Sequence, residues 1–133
     1  MKKNPVAHFE IYADDPESLG RFYTSLFDWD IQQVPGMEHY RLIKTVETDD
    51  KGMAAESGGI NGGILKRPAG YPASAWVNYV NVDSLDASVE RAQKLGAKVT
   101  KPRAPVPGMG WFAMLIDPQG NHFALWQSDR AAK

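Results

Sequence analysis

Residues Pro35-Gly36-Met37-Glu38-His39-Tyr40-Arg41-Leu42-Ile43 and Pro107-Gly108-Met109-Gly110-Trp111-Phe112-Ala113-Met114-Leu115 open on the same tripeptide, 72 residues apart. Each stretch is a Pro-Gly turn followed by a run of strand-forming residues. A three-residue match carries little alone, so the test is whether the flanking patterns also repeat.

They do. Before the first stretch, Val6 to Tyr12 alternates as a strand. Asp14-Asp15-Pro16-Glu17 then starts a helix, with Asp15 as cap and Pro16 in the first turn. Leu19, Phe22, Tyr23, Leu26 and Phe27 recur at helical spacing, and Trp29 to Val34 returns as a strand. The turn at residues 35–37 leads to a strand from His39 to Thr45. Residues 46–58 read as a polar loop and Gly59 to Leu65 as a short glycine-rich strand. The breaker cluster over residues 66–72 separates the halves.

The order then starts again. Ala75 to Val82 is a strand, Asp83 caps a helix through Leu85, Val89, Ala92 and Leu95, and Gly96 ends it. Lys98 to Thr100 is a short strand, residues 105–109 turn, and Gly110 to Ile116 is a strand. Asp117-Pro118-Gln119-Gly120 turns into the final strand, Asn121 to Trp126. The chain therefore reads as one α+β domain of two βαβββ modules, about 5–67 and about 73–128. Such modules form a curled, cup-shaped mixed sheet with helices on its outer face, and the concave side is the place for a small-molecule ligand.

Bulk properties narrow the function. At 133 residues the chain is long enough for one self-sufficient core. It has no cysteine, which excludes thiolate chemistry and disulfides. Fifteen basic and 16 acidic residues give a net charge of −1 without like-charge blocks, which argues against nucleic acid. No apolar run is long enough to span a membrane, and the basic start lacks the apolar stretch of a secretory leader. The expected location is the cytoplasm.

Several motifs occur in order along nearly the whole chain: His8-Phe9-Glu10-Ile11, Asp15 with Arg21-Phe22-Tyr23, Leu26-Phe27-Asp28-Trp29, Val82-Asp83, Leu95-Gly96-Ala97, Pro107 to Phe112, and Asp117-Pro118-Gln119-Gly120-Asn121. In these the chain resembles the vicinal oxygen chelate superfamily. Its members include glyoxalase I, extradiol dioxygenases, methylmalonyl-CoA epimerase and the bleomycin and fosfomycin resistance proteins. The resemblance implies four metal ligands, one on the first and one on the last strand of each module, and a Lewis-acid ion between them and the substrate. It also implies a homodimer, for which Trp76 and exposed strand edges are candidate contacts.

Carried over position by position, that chelate is not retained. His8 matches the first ligand. Residues 58–65 contain no carboxylate, with Asn61 their only polar side chain; the third position falls at Val77, or Asn78 one residue on, and the fourth at Ala124. A catalytic zinc normally takes three protein ligands plus water, so ordinary glyoxalase I chemistry and extradiol cleavage are not expected.

The period of two along strands puts Glu10 and Tyr12 on the face of His8, Tyr79 and Asn81 on that of Val77, and His122 and Trp126 on that of Ala124. The expected catalytic pair is His8 and Glu10. The expected pocket is lined by Tyr12, Tyr79, Asn81, Trp111, His122 and Trp126, with Lys66, Arg67 and Arg103 near its rim. His8, Glu10 and His122 have the donors for a displaced metal triad, but the reading expects no cofactor, with a divalent metal as the alternative. Two functions follow. One is a small-molecule binder like the drug-sequestering members, without the four-ligand site. The other is a lyase, isomerase or dioxygenase relative using His8 and Glu10, with a non-standard metal or none.

Overall fold

The computed structural model describes residues 3–72 and 76–133. The elements run β1 (Val6–Ala13), α1 (Pro16–Phe27), β2 (Asp30–Val34), β3 (Met37–Lys44), β4 (Asn61–Lys66), β5 (Trp76–Asn81), α2 (Leu85–Lys94), β6 (Lys98–Val106), β7 (Gly110–Ile116) and β8 (His122–Ser128). This is an α+β chain in which the order βαβββ occurs twice. It divides into two compact units, residues 8–76 and residues 77–133 with the chain up to Ala7. The boundary thus falls inside β1: the backbone N–H of Asn81 donates to the carbonyl of Pro5 at 2.9 Å, so the first residues of β1 belong with the second unit.

In the first unit the strand order is β2-β3-β4-β1, with β1 and β4 parallel and the other pairs antiparallel. α1 starts as its sequence dictates. The Asp15 side chain accepts from Ser18 N at 3.2 Å, and Pro16 occupies the first turn, where its missing N–H costs nothing. The helix closes at Asp28, which takes the left-handed conformation (φ 59°). One sheet face packs against it: Phe9, Ile11, Ala13, Ile43 and Ile64 are buried, with Leu19, Tyr23, Trp29 and Ile31 against them. Ile43 and Ile64 are fully buried, and each such side chain contributes about 1.5–3 kcal/mol.

The second unit repeats the plan, in the order β5-β8-β7-β6. Its core of Leu85, Ala113, Leu115 and Leu125 joins α2 to the sheet. Two details differ from expectation. The cap of α2 is Ser84, whose hydroxyl accepts from Ala87 N at 3.2 Å, rather than Asp83. β6 continues to Val106 instead of stopping at Thr100. It hydrogen-bonds only to β7, and its register shifts between Val99 and Ala104. An edge strand with irregular pairing accommodates Pro102 and Pro105, which cannot donate to a ladder.

Among the described residues no helix is long and apolar enough to cross a membrane. Ala75, at the start of the fifth strand expected from sequence, lies outside the described residues.

Candidate functional site

The helix-free face of the first unit carries the titratable cluster. Register fixes who stands beside whom: His8 is level with Asn61, Glu10 with Gly63, Tyr12 with Leu65, and Tyr40 with Leu65 across β4. Register partners share a face, so His8, Glu10, Tyr12 and Tyr40 all point away from α1. The expectation for His8, Glu10 and Tyr12 agrees with this placement.

The contacts are specific. His8 Nε2 lies 3.0 Å from Tyr40 Oη and 3.7 Å from Glu10 Oε2. Tyr40 is also hydrogen-bonded to Glu10. Glu10, at 8 % exposure, is a buried charged residue held in a polar network. Burial, then the charge of Glu10 and its hydrogen bond, push the Tyr40 phenol far above its ordinary range. Burial and Glu10 do the same to Tyr12, whose ring meets Tyr71 edge-on at 5.0 Å. Both phenols therefore stay neutral, and Tyr40 keeps the proton it can donate.

Sequence reading missed Tyr40. The signal that could have found it is Gly63. A methyl group there would overlap the Tyr40 hydroxyl and ring. Tyr40 leans from β3 over the bare glycine of β4 to reach β1, a span of two strand spacings, about 10 Å. Tyr40 also lines a shallow depression of about 310 Å³ with Met37, Glu38, His39, Leu65 and Lys66. The rim cations Lys66 and Arg67 both serve structure: Lys66 Nζ donates to the Asp14 carbonyl and Arg67 pairs with the Asp14 carboxylate, each at 2.6 Å.

On the helix-free face of the second unit, Tyr79 is level with Ala124, and Asn81 with Trp126. Trp126 is in turn level with Phe112, and His122 with Ile116. Tyr79, Asn81, His122 and Trp126 thus share one face, as expected from the strand period. Gly110 lets the Trp126 ring lie against its backbone. Trp111 requires a correction. It packs with the α2 core on the opposite face, because it alternates with Phe112. Its Nε1 donates to Asp129 at 3.0 Å, holding that carboxyl below the usual range, and Arg103 stacks 4.0 Å over its ring. Arg103 also binds Asp86 at 2.8 Å. Asp117 holds the turn into β8: its side chain accepts from Gln119 N and Asn121 N, and hydrogen bonds from Asn121 lead in lowering its pKa.

The four positions of the superfamily's chelate do not fit an ion. His8 Nε2 is engaged by Tyr40. The Asn61 side-chain oxygen accepts from Thr45 N at 2.8 Å and Val46 N at 3.0 Å. Val77 and Ala124 have no donor atom to offer. Among the described residues no three His, Asp or Glu side chains are grouped to hold a metal.

A doubled βαβββ order with a polar cluster on the helix-free face of its first strand defines a member of the glyoxalase/bleomycin resistance/dioxygenase, or vicinal oxygen chelate, superfamily. The chain belongs to the glyoxalase-like domain family, whose model matches residues 8–126. It is 29% identical over 126 residues to the protein called "Putative glyoxylase CFP32" in Mycobacterium bovis and Mycobacterium tuberculosis. That match covers 91% of this chain and 44% of the relative, so the chain spans less than half the length of the curated relatives it matches. In fold it is similar to a glyoxalase/bleomycin resistance protein/dioxygenase superfamily member from Vibrio splendidus (TM-score 0.63, 12% identity, covering 96% of this chain and 100% of that one). It is also similar to the Mn(II)-bound glyoxalase from Novosphingobium aromaticivorans (TM-score 0.59, 17% identity, 98% and 40%).

Proposed function

We propose that this chain holds a small organic molecule against the helix-free face of its first unit, without the four-ligand metal site of its better-known relatives. The observation that carries the reading is the buried Glu10 beside His8 and Tyr40. A buried carboxylate costs free energy unless its environment is organised around it. Here that environment offers a ligand hydrogen-bonding groups flanked by the Tyr12 and Tyr71 rings. The four chelate positions, lacking free donors, favour binding over metal-assisted chemistry. The resemblance adds a homodimer to this reading.

A thermal-shift screen against dicarbonyl–glutathione adducts, catechols and glycopeptide drugs tests it. A true ligand at 100 times its Kd stabilises the fold by about 2.7 kcal/mol, and His8→Ala and Glu10→Gln should each weaken that response. Hits that ignore both substitutions, or no hit at all, would sink the proposal.

The short separation of His8 and Glu10, 3.7 Å, favours one second reading. In it the pair moves a proton on the bound molecule, as in a lyase or isomerase relative. Turnover of a bound hit, abolished by Glu10→Gln even at ligand concentrations that saturate the variant, would select this reading over simple sequestration.

A further inference from the structure

We propose that Tyr40 is a positioning residue that commits the His8 imidazole to hydrogen-bond donation, Nε2–H to Tyr40 Oη, and so withdraws that nitrogen from metal binding at the one residue retained at a chelate position. The proposal deepens the reading above at the same site, but it concerns His8 itself and needs no ligand.

Proton counting carries the argument. The Tyr40 hydroxyl has one proton and contacts both His8 and Glu10. A carboxylate can only accept. If the hydroxyl proton went to His8, two oxygen lone pairs would face each other at hydrogen-bond distance in a part-buried place, where repulsion is stronger than in water. The proton therefore goes to Glu10. The Tyr40 oxygen then offers His8 only lone pairs, and Nε2 must carry a proton. The order is His8 Nε2–H to Tyr40 Oη, then Tyr40 Oη–H to Glu10. A protonated Nε2 has no lone pair for an ion.

The geometry depends on a second residue. Gly63, where a side chain would project from β4, leaves the space that the hydroxyl fills.

Long-range ¹H–¹⁵N correlation of the histidine side chains in the full chain at neutral pH tests the proposal. The parent is expected to show His8 Nε2 protonated. Tyr40→Phe should shift the Nε2–H signal and speed its exchange with water about tenfold, the effect of losing one ordinary hydrogen bond. Gly63→Ala, which displaces the hydroxyl while keeping it in the chain, should do the same. Added Co²⁺ should not displace the Nε2 proton of His8 in the parent. Three results would overturn the idea: a bare Nε2 in the parent, an Nε2–H signal indifferent to Tyr40→Phe, or displacement of the Nε2 proton by stoichiometric Co²⁺. A failed ligand screen would affect none of these, and a bare Nε2 would leave a successful screen intact.

Discussion

At the scale of single residues, the Tyr40 phenol links the site to stability. An unfolded tyrosine ionises near pH 10, whereas burial and Glu10 push the folded value well above that. The folded state thus favours the protonated form. Its contribution is complete below about pH 10 and is lost as the pH climbs above it toward the folded value. Tyr40→Phe should cost about 1 kcal/mol at pH 7, from its hydrogen bonds to His8 and Glu10. It should also flatten the fall in stability above pH 10. Urea unfolding of both proteins at pH 7 and at several values from 9 to 11 checks this. Parallel alkaline slopes would mean that the phenol ionises as freely in the fold as outside it. His8 and Glu10 were legible in the sequence because each stands on a strand of clear period. Tyr40 was not, because its importance comes from a neighbour that lacks a side chain.

Among the elements, α1, which local chemistry specifies, came out as read, while the cap of α2 moved by one residue from Asp83 to Ser84. α1 begins at the residue after Asp15 because the aspartate takes up an N–H that the helix cannot satisfy itself. Asp15→Ala should therefore destabilise the fold by about 1 kcal/mol, measured as a lowered urea midpoint at unchanged slope; no loss would mean that water caps α1 equally well. The strand that differed is one decided by pairing. Read alone, the two prolines of β6 argue for a turn; held at the edge of its unit against β7, the same residues extend the strand. Trp111 shows the same limit. Its aromatic character suited either face, and the register of β7 on β8 put Phe112 beside Trp126 and left Trp111 to the α2 core.

For the molecule as a whole, the outer side of α1 leaves apolar area uncovered. Phe22, Leu26 and Phe27 are each more than half exposed, and Trp76, stacked on Phe9 at 5.5 Å, is 47 % exposed. Contiguous apolar surface of this kind commonly marks a contact, which agrees with pairing of two copies. Light scattering at micromolar concentration should give twice the chain mass, and Leu26→Glu should halve it without lowering the thermal midpoint by more than a few degrees. A parent of single-chain mass would rule out the homodimer. By itself, the sequence determined the doubled βαβββ order and the side of β1, β5 and β8 on which polar groups lie. These depend on periods and identities within short stretches. Only the tertiary structure decided that Tyr40 meets His8 and Glu10, and that Trp111 turns inward to α2. Such contacts join strands far apart along the chain, and hydrogen-bond register, not local preference, selects them.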